Sequence, residues 1–227
     1  EATGKLARGS NNFPLSCYGD INTYALFSEL YLRLINKSGS SGIIVPTGIA
    51  TDDTNKNFFG YLIEKGLLRT LYDFQNSYGQ GRFFPNVHPQ SKFCLLSFSG
   101  SSQNRQDYTF GFYFSSVDQL KDNLRIFKLT PKQIQELNPN SKTCPIFRTA
   151  VDAKINAKIY ANNRILYNYG AVNSDCAFYI SGMFHMSNDS NLFKTAEELE
   201  RAGYTLKSNC FSNKEILFYP LYEGKMV

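Results

Sequence analysis

The sequence contains no long apolar run. Its apolar stretches are short and broken by polar residues, whereas a membrane-spanning helix needs roughly 20 mostly apolar residues, so no transmembrane helix is predicted. The first segment, EATGKLARGSNN, begins with Glu rather than Met and lacks the apolar core and cleavage site of a secretory signal. We therefore expect a soluble, cytoplasmic segment of a longer polypeptide.

Metal-binding and redox patterns are also missing. The five cysteines are odd in number, and no two of them form a Cys-x-x-Cys pair. The two histidines, His88 and His185, are far apart and have no cysteine near them. We expect free thiols in a reducing compartment and no zinc site. Ser-His-Asp catalysis finds no support, because the sequence has no nucleophile elbow.

Neither sign of charge dominates strongly. The net charge of +5 is a mild basic excess, compatible with a polyanionic partner but common among ordinary proteins. Of the 227 residues, 42% are hydrophobic and 15% aromatic, which is enough to bury a core. Length and composition predict one large domain or one domain with an appendage, without internal repeats.

The stretch from Asp20 to Phe98 carries the clearest succession of elements. It predicts a helix, a strand, a second helix, an extended run, a loop and a last apolar strand: INTYALFSELYLRLINK, GIIVPTG, TNKNFFGYLIEKG, LLRTLYDFQNS, GQGRFFPNVHPQSK and FCLLSF. That order is typical of the second half of a doubly wound α/β sheet, with the two last extended runs paired as an antiparallel edge hairpin. Residues 1–19 are predicted to be a loop.

Apolar spacing predicts which faces are buried. The first helix, capped by Asp20, has one apolar stripe that we expect to pack against the sheet: Phe27, Leu30, Tyr31 and Leu34. The continuous apolar run of GIIVPTG predicts a strand buried on both faces. The second helix should be capped by Asp52, Asp53 or Thr54, bury Phe58, Phe59, Leu62 and Ile63, and end at Gly66.

The rest of the chain mixes short strands and helices. The polar segment 100–107 is expected to end the first unit. Strands are predicted at 108–114 and 125–129, and helices at 116–123, at 130–137 with Thr130 as N-cap, and at 148–160 with a stripe of Val151, Ile155 and Ile159. Short aromatic strands, CAFYISGMF and EILFYPLY, surround a helix TAEELERAG near the end.

Three strings in the first hundred residues resemble one enzyme family. NTYALFSELYLRLI, GIIVPTG and FFPNVHPQSKFCLLSF look like the adenine-N6 DNA methyltransferases of restriction-modification systems, in the amino-methylating class whose target-recognition domain follows the catalytic domain. In that family a helix beginning N-x-Y-x-x-F follows the catalytic Asn-Pro-Pro-Tyr loop, then comes a strand ending in Val-Pro, and a Phe-Pro loop precedes the last strand. The matching residues are Asn22, Tyr24 and Phe27, then Val45 and Pro46, then Phe84 and Pro85.

Later strings extend the resemblance more loosely. PIFRTAVDAKINAKIY, MSNDSNLF and PLYEGKM are similar to the stretch that leads into the recognition domain of large single-chain type II restriction-modification enzymes. The resemblance implies the C-terminal half of a Rossmann-like class I methyltransferase sheet with an appended α+β segment. It implies three parts: residues 1–100, the end of the catalytic domain; 101–147, an appended segment; and 148–227, the start of the recognition region.

The chain also departs from this family. It lacks the glycine-rich strand-to-helix turn that holds S-adenosylmethionine, the acidic residue that takes the ribose hydroxyls, and the Asn-Pro-Pro-Tyr loop. The glycines of GQGRFF lie between extended segments and do not open a helix. The resemblance therefore implies an S-adenosylmethionine-dependent parent protein that acts on double-stranded DNA, and a fragment that is inactive by itself.

Phe84 is the leading candidate for contact with the target base. Enzymes that modify a base extrude it and hold it against aromatic or apolar side chains. In the resembled family the Phe of the Phe-Pro loop stacks on the target adenine, which corresponds to Phe84, with Phe83 as second candidate. The structural alternative is that both rings only hold the loop to the sheet.

Other candidate site residues lie in the Phe-Pro loop and at the start of the first helix. Arg82, His88 and Lys92 share the Phe-Pro loop and can contact DNA phosphates, although solvated loop charges are the alternative. Asn22 and Tyr24 would lie beside the cofactor and the missing catalytic loop, or would only cap and pack. The adjacent Asp52 and Asp53 point apart, so helix capping is favoured over paired acid–base chemistry.

Two other functions remain open at this point. One is a non-enzymatic DNA-binding or protein-interaction module built on half a Rossmann sheet. The other is a fragment of a small-molecule or RNA methyltransferase, which the ending PLYEGKM disfavours. The non-enzymatic module predicts salt-sensitive DNA binding that Phe84→Ala leaves unchanged, whereas the DNA methyltransferase predicts weaker binding of this variant to a flipped adenine. A panel of substrates tested on the parent protein separates the third possibility.

Overall fold

The computed structural model of the protein describes residues 2–76, 82–102, 106–163, 184–213 and 216–221. Contacts divide the chain into two units, residues 1–176 and 177–227. The helices are α1 (Ala2–Gly9), α2 (Thr23–Leu34), α3 (Gly48–Thr51), α4 (Lys56–Glu64), α5 (Pro131–Leu137), α6 (Ala150–Asn162) and α7 (Ala196–Arg201). The strands are β1 (Ser40–Pro46), β2 (Leu68–Gln75), β3 (Lys92–Ser99), β4 (Tyr108–Phe114), β5 (Phe127–Leu129), β6 (Thr205–Lys207), β7 (Cys210–Asn213) and β8 (Ile216–Phe218).

Strands β1 to β5 form one mixed sheet in the order β1–β3–β2–β4–β5. Strand β3 is antiparallel to both β1 and β2, β4 is parallel to β2, and β5 is antiparallel to β4. The α/β class is confirmed, and the helix–strand–helix–hairpin order is consistent with half of a Rossmann-like sheet. The predicted pairing of β2 with β3 is also confirmed. The prediction that this β2–β3 hairpin lies at the edge of the sheet is wrong. On the sides that β2 and β3 do not share, β3 pairs with β1 and β2 pairs with β4.

Helix α4 supplies the centre of the core, as its spacing predicts. Phe58 and Phe59 are completely buried, and their neighbours on the same face are buried with them. Each such side chain contributes roughly 1.5–3 kcal/mol by leaving water. Gly66 ends the helix in the left-handed conformation, at φ +66°. There its N–H donates to the Ile63 carbonyl and the Leu67 N–H to the Leu62 carbonyl, the two bonds of a Schellman cap.

Helix α2 buries a different face from the one predicted. Its buried residues are Ala25, Ser28 and Glu29. Of the predicted stripe, Leu30 is half-buried and the other three side chains are exposed, Phe27 by 54%, Tyr31 by 42% and Leu34 by 69%. The physical reason is Glu29. Its carboxylate, in a residue only 2% exposed, accepts hydrogen bonds from the backbone of Leu15 and Ser16 and from the Ser16 hydroxyl. This turns the polar face of the helix inward.

Strand β1 is likewise more exposed than its sequence predicts. None of its residues is fully buried, and Ile44 is 59% exposed. Among the described strands β1 pairs with β3 alone, so it is an edge strand. A run of β-branched residues typical of a central strand therefore lies at an edge.

Several helix starts also differ from the sequence prediction. Residues 2–9 form α1 instead of a loop. Helix α2 has Asn22 at its N-cap position rather than Asp20, without a side-chain capping bond. Asn55, not Asp52, Asp53 or Thr54, precedes α4, because α3 and a 3-10 turn at Asp53–Asn55 lie between β1 and α4.

Helix α5 begins as predicted, with Thr130 capping and Pro131 in the first turn. Helix α6 has a similar capping box, but its predicted stripe faces solvent, with Val151 55% and Ile155 53% exposed, and only Ala153 is buried. The α6 stripe prediction is therefore wrong. The helical spacing exists, but a small alanine face packs inward.

The second unit contains α7 and an antiparallel sheet of β6, β7 and β8. Helix α7 matches the predicted TAEELERAG helix, and β8 lies within the predicted EILFYPLY strand. Nearly all of CAFYISGMF, and most of PLYEGKM, lie outside the described residues. Within the described ranges no helix combines the length and apolarity that crossing a membrane requires. The division at residues 100 and 147 stays a prediction.

Candidate functional site

The carboxyl edge of the sheet collects the predicted site residues. Strands β1, β2 and β4 run in one direction, so their last residues, Pro46, Gln75 and Phe114, lie at the same edge, where β3 begins with Lys92. In open α/β sheets ligands bind at this edge. The loop between β2 and β3, which carries Phe83 and Phe84, also starts and ends there.

Asn76 holds the part of this loop from Phe84 to His88. It follows β2, is 1% exposed, and accepts a hydrogen bond from the Phe84 N–H at 2.9 Å. Its side-chain amide donates to the Phe84 carbonyl at 2.9 Å, the Val87 carbonyl at 3.1 Å and the His88 carbonyl at 3.4 Å. The buried side-chain amide of Asn76 therefore hydrogen-bonds to both the backbone N–H and the backbone carbonyl of Phe84. Sequence analysis did not select Asn76, although an Asn at a strand end before a glycine-broken loop is a signal for such a turn.

An aromatic cluster lies beneath the loop. The Phe83 ring contacts two rings, Phe74 and Phe93, both with centroids at 5.4 Å. The Phe84 ring contacts Phe93 edge-on, at 5.0 Å and 84°. Phe83 is 37% and Phe84 39% exposed. Phe83 is thus anchored from two sides, and Phe84 from one, with its exposed area available to a partner.

The three predicted phosphate contacts are all exposed at this edge. Arg82 donates to the Pro85 carbonyl at 3.3 Å, and the Nδ1 atom of His88 accepts from the Gln90 N–H at 3.3 Å. The Lys92 ammonium lies over the ring of Tyr113, 4.5 Å from its centroid. None of the three forms an ion pair with a carboxylate within the described part of the chain, so the Arg82 and Lys92 charges and the His88 ring are all accessible to an anion.

Asn22 and Tyr24 lie at the start of α2, and Tyr24 contacts the connection that follows β1. Asn22 is exposed, and its side chain approaches the Asp20 carbonyl at 3.5 Å. The Tyr24 hydroxyl accepts from the Asn55 amide at 3.2 Å, and the same amide donates to the Gly48 carbonyl at 3.0 Å. Partial burial raises the pKa of Tyr24, against the opposing effect of the Asn55 hydrogen bond. Tyr24 therefore has a packing role here, and its cofactor role stays a prediction.

Strand β4 contains a bulge at Tyr113 that sequence analysis did not detect. Tyr72 and Phe74 of β2 stand opposite Gly111 and Phe114, so β4 has one residue more than β2 at this point. Tyr113 takes a left-handed conformation at φ +60°, which is uncommon for a residue with a side chain. Bulges of this kind re-aim side chains and occur next to active sites.

A buried carboxylate holds the bulge. Asp73, which is 1% exposed, accepts from the Tyr113 N–H at 3.1 Å and from the Thr47 hydroxyl at 2.5 Å. A buried charge is costly unless it is hydrogen-bonded, and these two bonds compensate for its burial. Asp73 thereby links the end of β1, strand β2 and the bulge of β4. A charged residue within an apolar strand is the sequence signal that points to it.

The thiols near this network are not nucleophiles. Cys94 stands opposite Asp73 in the β2–β3 pairing. Burial raises the pKa of the Cys94 thiol strongly, with a further contribution from the Asp73 charge, and burial raises the pKa of Cys144 in the same way. Both thiols therefore stay protonated at neutral pH. Across the described ranges no three potential metal ligands cluster.

The sequence matches no known protein-family profile and no curated protein. Among solved structures, the chain is similar to the type IIG restriction endonuclease BpuSI, at 17% identity and a TM-score of 0.45, over 63% of this chain and 18% of that one. It is also similar to the methyltransferase subunit of a type I restriction-modification system from Streptococcus thermophilus, at 13% identity and a TM-score of 0.42, over 64% of this chain and 35% of that one. The chain thus spans about a fifth and about a third of these two proteins. At these values the likenesses identify no family.

Proposed function

We propose that this chain is the C-terminal part of the catalytic domain of an S-adenosylmethionine-dependent DNA methyltransferase that modifies adenine at N6 in a restriction-modification system. The observation that carries the proposal is the Phe84 ring. It is exposed at the carboxyl edge of the sheet, on a loop whose backbone the buried Asn76 holds at both Phe84 groups. An exposed ring on a fixed loop is what stacking on an extruded base requires.

In this function the chain holds the base rather than performing the transfer. An adenine rotated out of the duplex stacks on the exposed part of Phe84, while Phe93, which also contacts Phe83, supports the Phe84 ring from below. Base–aromatic stacking contributes roughly 1–3 kcal/mol per base. The cofactor, when bound by the rest of the protein, supplies the methyl group. This chain does not hold a cofactor site of its own, because the glycine-rich turn is absent from it.

The surrounding cations have a positioning role in the same proposal. Arg82, His88 and Lys92 lie on the loop or at its end, and they contact the phosphates that flank the extruded base. Such contacts fix the position of the duplex without reading its sequence. The net charge of +5 favours the approach of DNA.

The open side of β1 supports the proposal that another part of the polypeptide completes the sheet. An edge strand is usually protected by charged residues, but β1 has none and exposes Ile44. A groove of about 470 Å³ between β1 and α2 is bordered by the exposed rings of Phe27 and Tyr31. A cofactor-binding half that adds strands beside β1 would cover this apolar surface.

Methyl transfer by the full-length protein tests the proposal. The protein is incubated with duplex DNA and radiolabelled S-adenosylmethionine, and the nucleosides are separated to identify N6-methyladenine. Phe84→Ala should reduce kcat/KM by about 5- to 160-fold, since roughly 1–3 kcal/mol of stacking corresponds to that range. Phe84→Tyr, which keeps the ring, should retain most of the activity.

Phe83→Ala serves as the matched aromatic control. It should lower thermal stability through lost packing on Phe74 and Phe93 and reduce kcat/KM less than Phe84→Ala does. A full-length protein that binds S-adenosylmethionine but leaves adenine in duplex DNA unmodified would overturn the proposal. Salt-sensitive DNA binding without any effect of Phe84→Ala would favour a non-enzymatic DNA-binding module instead.

A further inference from the structure

We propose that Lys92, Tyr113 and Arg148 form a binding site for one phosphodiester of the DNA backbone, beside the loop that carries Phe84. The inference rests on the proposed function, since it assumes DNA at the carboxyl edge of the sheet. It adds two residues outside the Phe-Pro loop: Tyr113, which no sequence motif selects, and Arg148, which lies in the later string PIFRTAVDAKINAKIY. Tyr113 acts as the positioning residue, and the two cations contact the phosphate.

The geometry centres on the Tyr113 ring. The Lys92 ammonium lies 4.5 Å and the Arg148 guanidinium carbon 4.8 Å from its centroid. The two cations come from separate places in the chain, the start of β3 and the residue before the Thr149 cap of α6. The ring attracts both through its negative face. Two positive charges from distant parts of the sequence are therefore held against one ring at the carboxyl edge.

The backbone of Tyr113 is fixed on both sides. Its N–H donates to the buried carboxylate of Asp73 at 3.1 Å, and its carbonyl accepts from Arg125 at 3.4 Å. The left-handed conformation at φ +60° is a strained state that persists only where surrounding contacts impose it. These contacts hold the ring in place before any ligand arrives, so the two cations need little reorganisation to bind.

Neither cation is neutralised by a carboxylate. Within the described ranges Lys92 and Arg148 form no ion pair with a carboxylate, and the polar or aromatic partner that they share is the Tyr113 ring. The one acidic group in contact with Tyr113, Asp73, is buried and already accepts two hydrogen bonds. Both side chains are exposed. An external anion that meets both charges completes the site.

The position of the site favours a backbone phosphate next to the target base. Lys92 is the first residue of β3, where the loop that carries Phe84 ends, and Tyr113 lies near the end of β4 at the same carboxyl edge of the sheet. Base extrusion rotates one nucleotide about its backbone, so the flanking phosphates must be held while the base moves. A phosphate on Lys92 and Arg148 would supply that fixed point.

Salt dependence of DNA binding tests the site. The affinity of the full-length protein for a short fluorescent duplex of arbitrary sequence is measured by anisotropy between about 50 and about 200 mM salt, without cofactor. Lys92→Gln and Arg148→Gln should each make the slope of log K against log salt shallower by about one, and the double variant by about two. Raising the salt concentration over this range weakens binding by some factor. For each phosphate contact removed, that factor should be about 3.5-fold smaller than in the wild type.

Two further variants complete the experiment. Lys132→Gln removes an equally exposed lysine at the opposite edge of the sheet, on α5 after β5, and should leave the slope unchanged. Tyr113→Phe should keep the slope, because the ring remains, whereas Tyr113→Leu should make it shallower. Thermal midpoints check that each variant is folded.

The outcomes separate this inference from the proposed function. Equal slopes for the wild type and the Lys92→Gln/Arg148→Gln variant would overturn the phosphate site, as would an unchanged slope for Tyr113→Leu. Because the duplex is arbitrary and no cofactor is present, a slope change is measurable even if adenine methylation fails. Loss of methylation with the expected slopes would contradict the proposed function alone.

Discussion

At the scale of single residues, the candidate site depends on side chains that hold other residues in place. Asn76 and Asp73 are both almost completely buried, and both hydrogen-bond to the backbone of an aromatic residue, Phe84 and Tyr113. A buried polar side chain that satisfies backbone groups in this way specifies one conformation. The exposed aromatic and cationic residues are therefore positioned by polar residues beneath them.

Asn76→Ala should release the Phe84 loop. The substitution removes four hydrogen bonds and leaves the Phe84 N–H and carbonyl without their partner, which should cost about 2–3 kcal/mol of folding free energy. Hydrogen–deuterium exchange of a peptide covering residues 82–90 should become faster, while β3 keeps its protection.

The control for this prediction lies in the same loop. Asn86 is exposed and makes no side-chain hydrogen bond within the described part of the chain, so Asn86→Ala should leave both stability and exchange unchanged. Equal exchange in the Asn76→Ala variant and the wild type would show that the aromatic contacts of Phe83 and Phe84 are sufficient to hold the loop.

At the scale of elements, the orientation of α2 is decided by a buried carboxylate. Glu29 accepts hydrogen bonds from two backbone N–H groups, of Leu15 and Ser16, and from the Ser16 hydroxyl. Burying Phe27 and Tyr31 against this sheet would require Glu29 to face solvent and leave those donors unpaired. The polar network therefore prevails over the apolar stripe.

Glu29→Ala should lower the free energy of unfolding by about 3 kcal/mol, because it leaves buried backbone donors without an acceptor. Chemical denaturation monitored by circular dichroism measures this loss. Glu64→Ala, which removes an exposed carboxylate paired with Lys142, should cost less than about 1 kcal/mol. A similar loss in both variants would mean that the Glu29 network does not orient the helix.

At the scale of the whole molecule, the exposed apolar surface on α2 and β1 has no partner within the described chain. Phe27 and Ile44 are each more than half exposed, at 54% and 59%. Single exposed apolar side chains are ordinary, but here an uncharged edge strand and a helix face lie side by side. The proposed cofactor-binding half of the sheet would cover them.

The double substitution Phe27→Ser and Ile44→Thr tests this arrangement. In the 227-residue chain by itself it should change the thermal midpoint little, since both side chains are already largely in solvent. In the full-length protein it should lower the midpoint and weaken S-adenosylmethionine binding, measured by calorimetry. Leu206→Ser, which alters an exposed apolar residue of the second unit, is the control. An unchanged full-length protein would contradict docking at this surface.

Local patterns predicted much of the fold because they involve neighbouring residues. The α4 core face, the Gly66 cap, the Thr130 cap and the extended β2, β3 and β4 segments all follow from periodicity, left-handed glycine and capping chemistry. Burial was predicted less well. Spacing shows that apolar residues share a face of α2 or α6, but it does not show whether anything covers that face.

The candidate site divides in a similar way. The Phe-Pro loop and its cations form a contiguous string, and the resemblance selects Arg82, Phe84 and Lys92 from it. Tyr113 lies 40 residues after Asp73 in the sequence, and Arg148 lies 35 residues after Tyr113. No local sequence pattern therefore connects the three. Their relation depends on the parallel pairing of β2 with β4 and on the bulge that this pairing contains.

The sequence by itself determined the α/β class, the order of the main helices and strands and the aromatic loop, because these depend on short-range spacing and backbone preferences. Only the tertiary structure decided that β3 lies between β1 and β2, that Glu29 turns the apolar stripe of α2 outward, and that Lys92 and Arg148 meet at Tyr113. These features depend on pairing between distant strands and on satisfying buried polar groups. Such requirements act across the folded chain, so no local stretch of sequence reveals them.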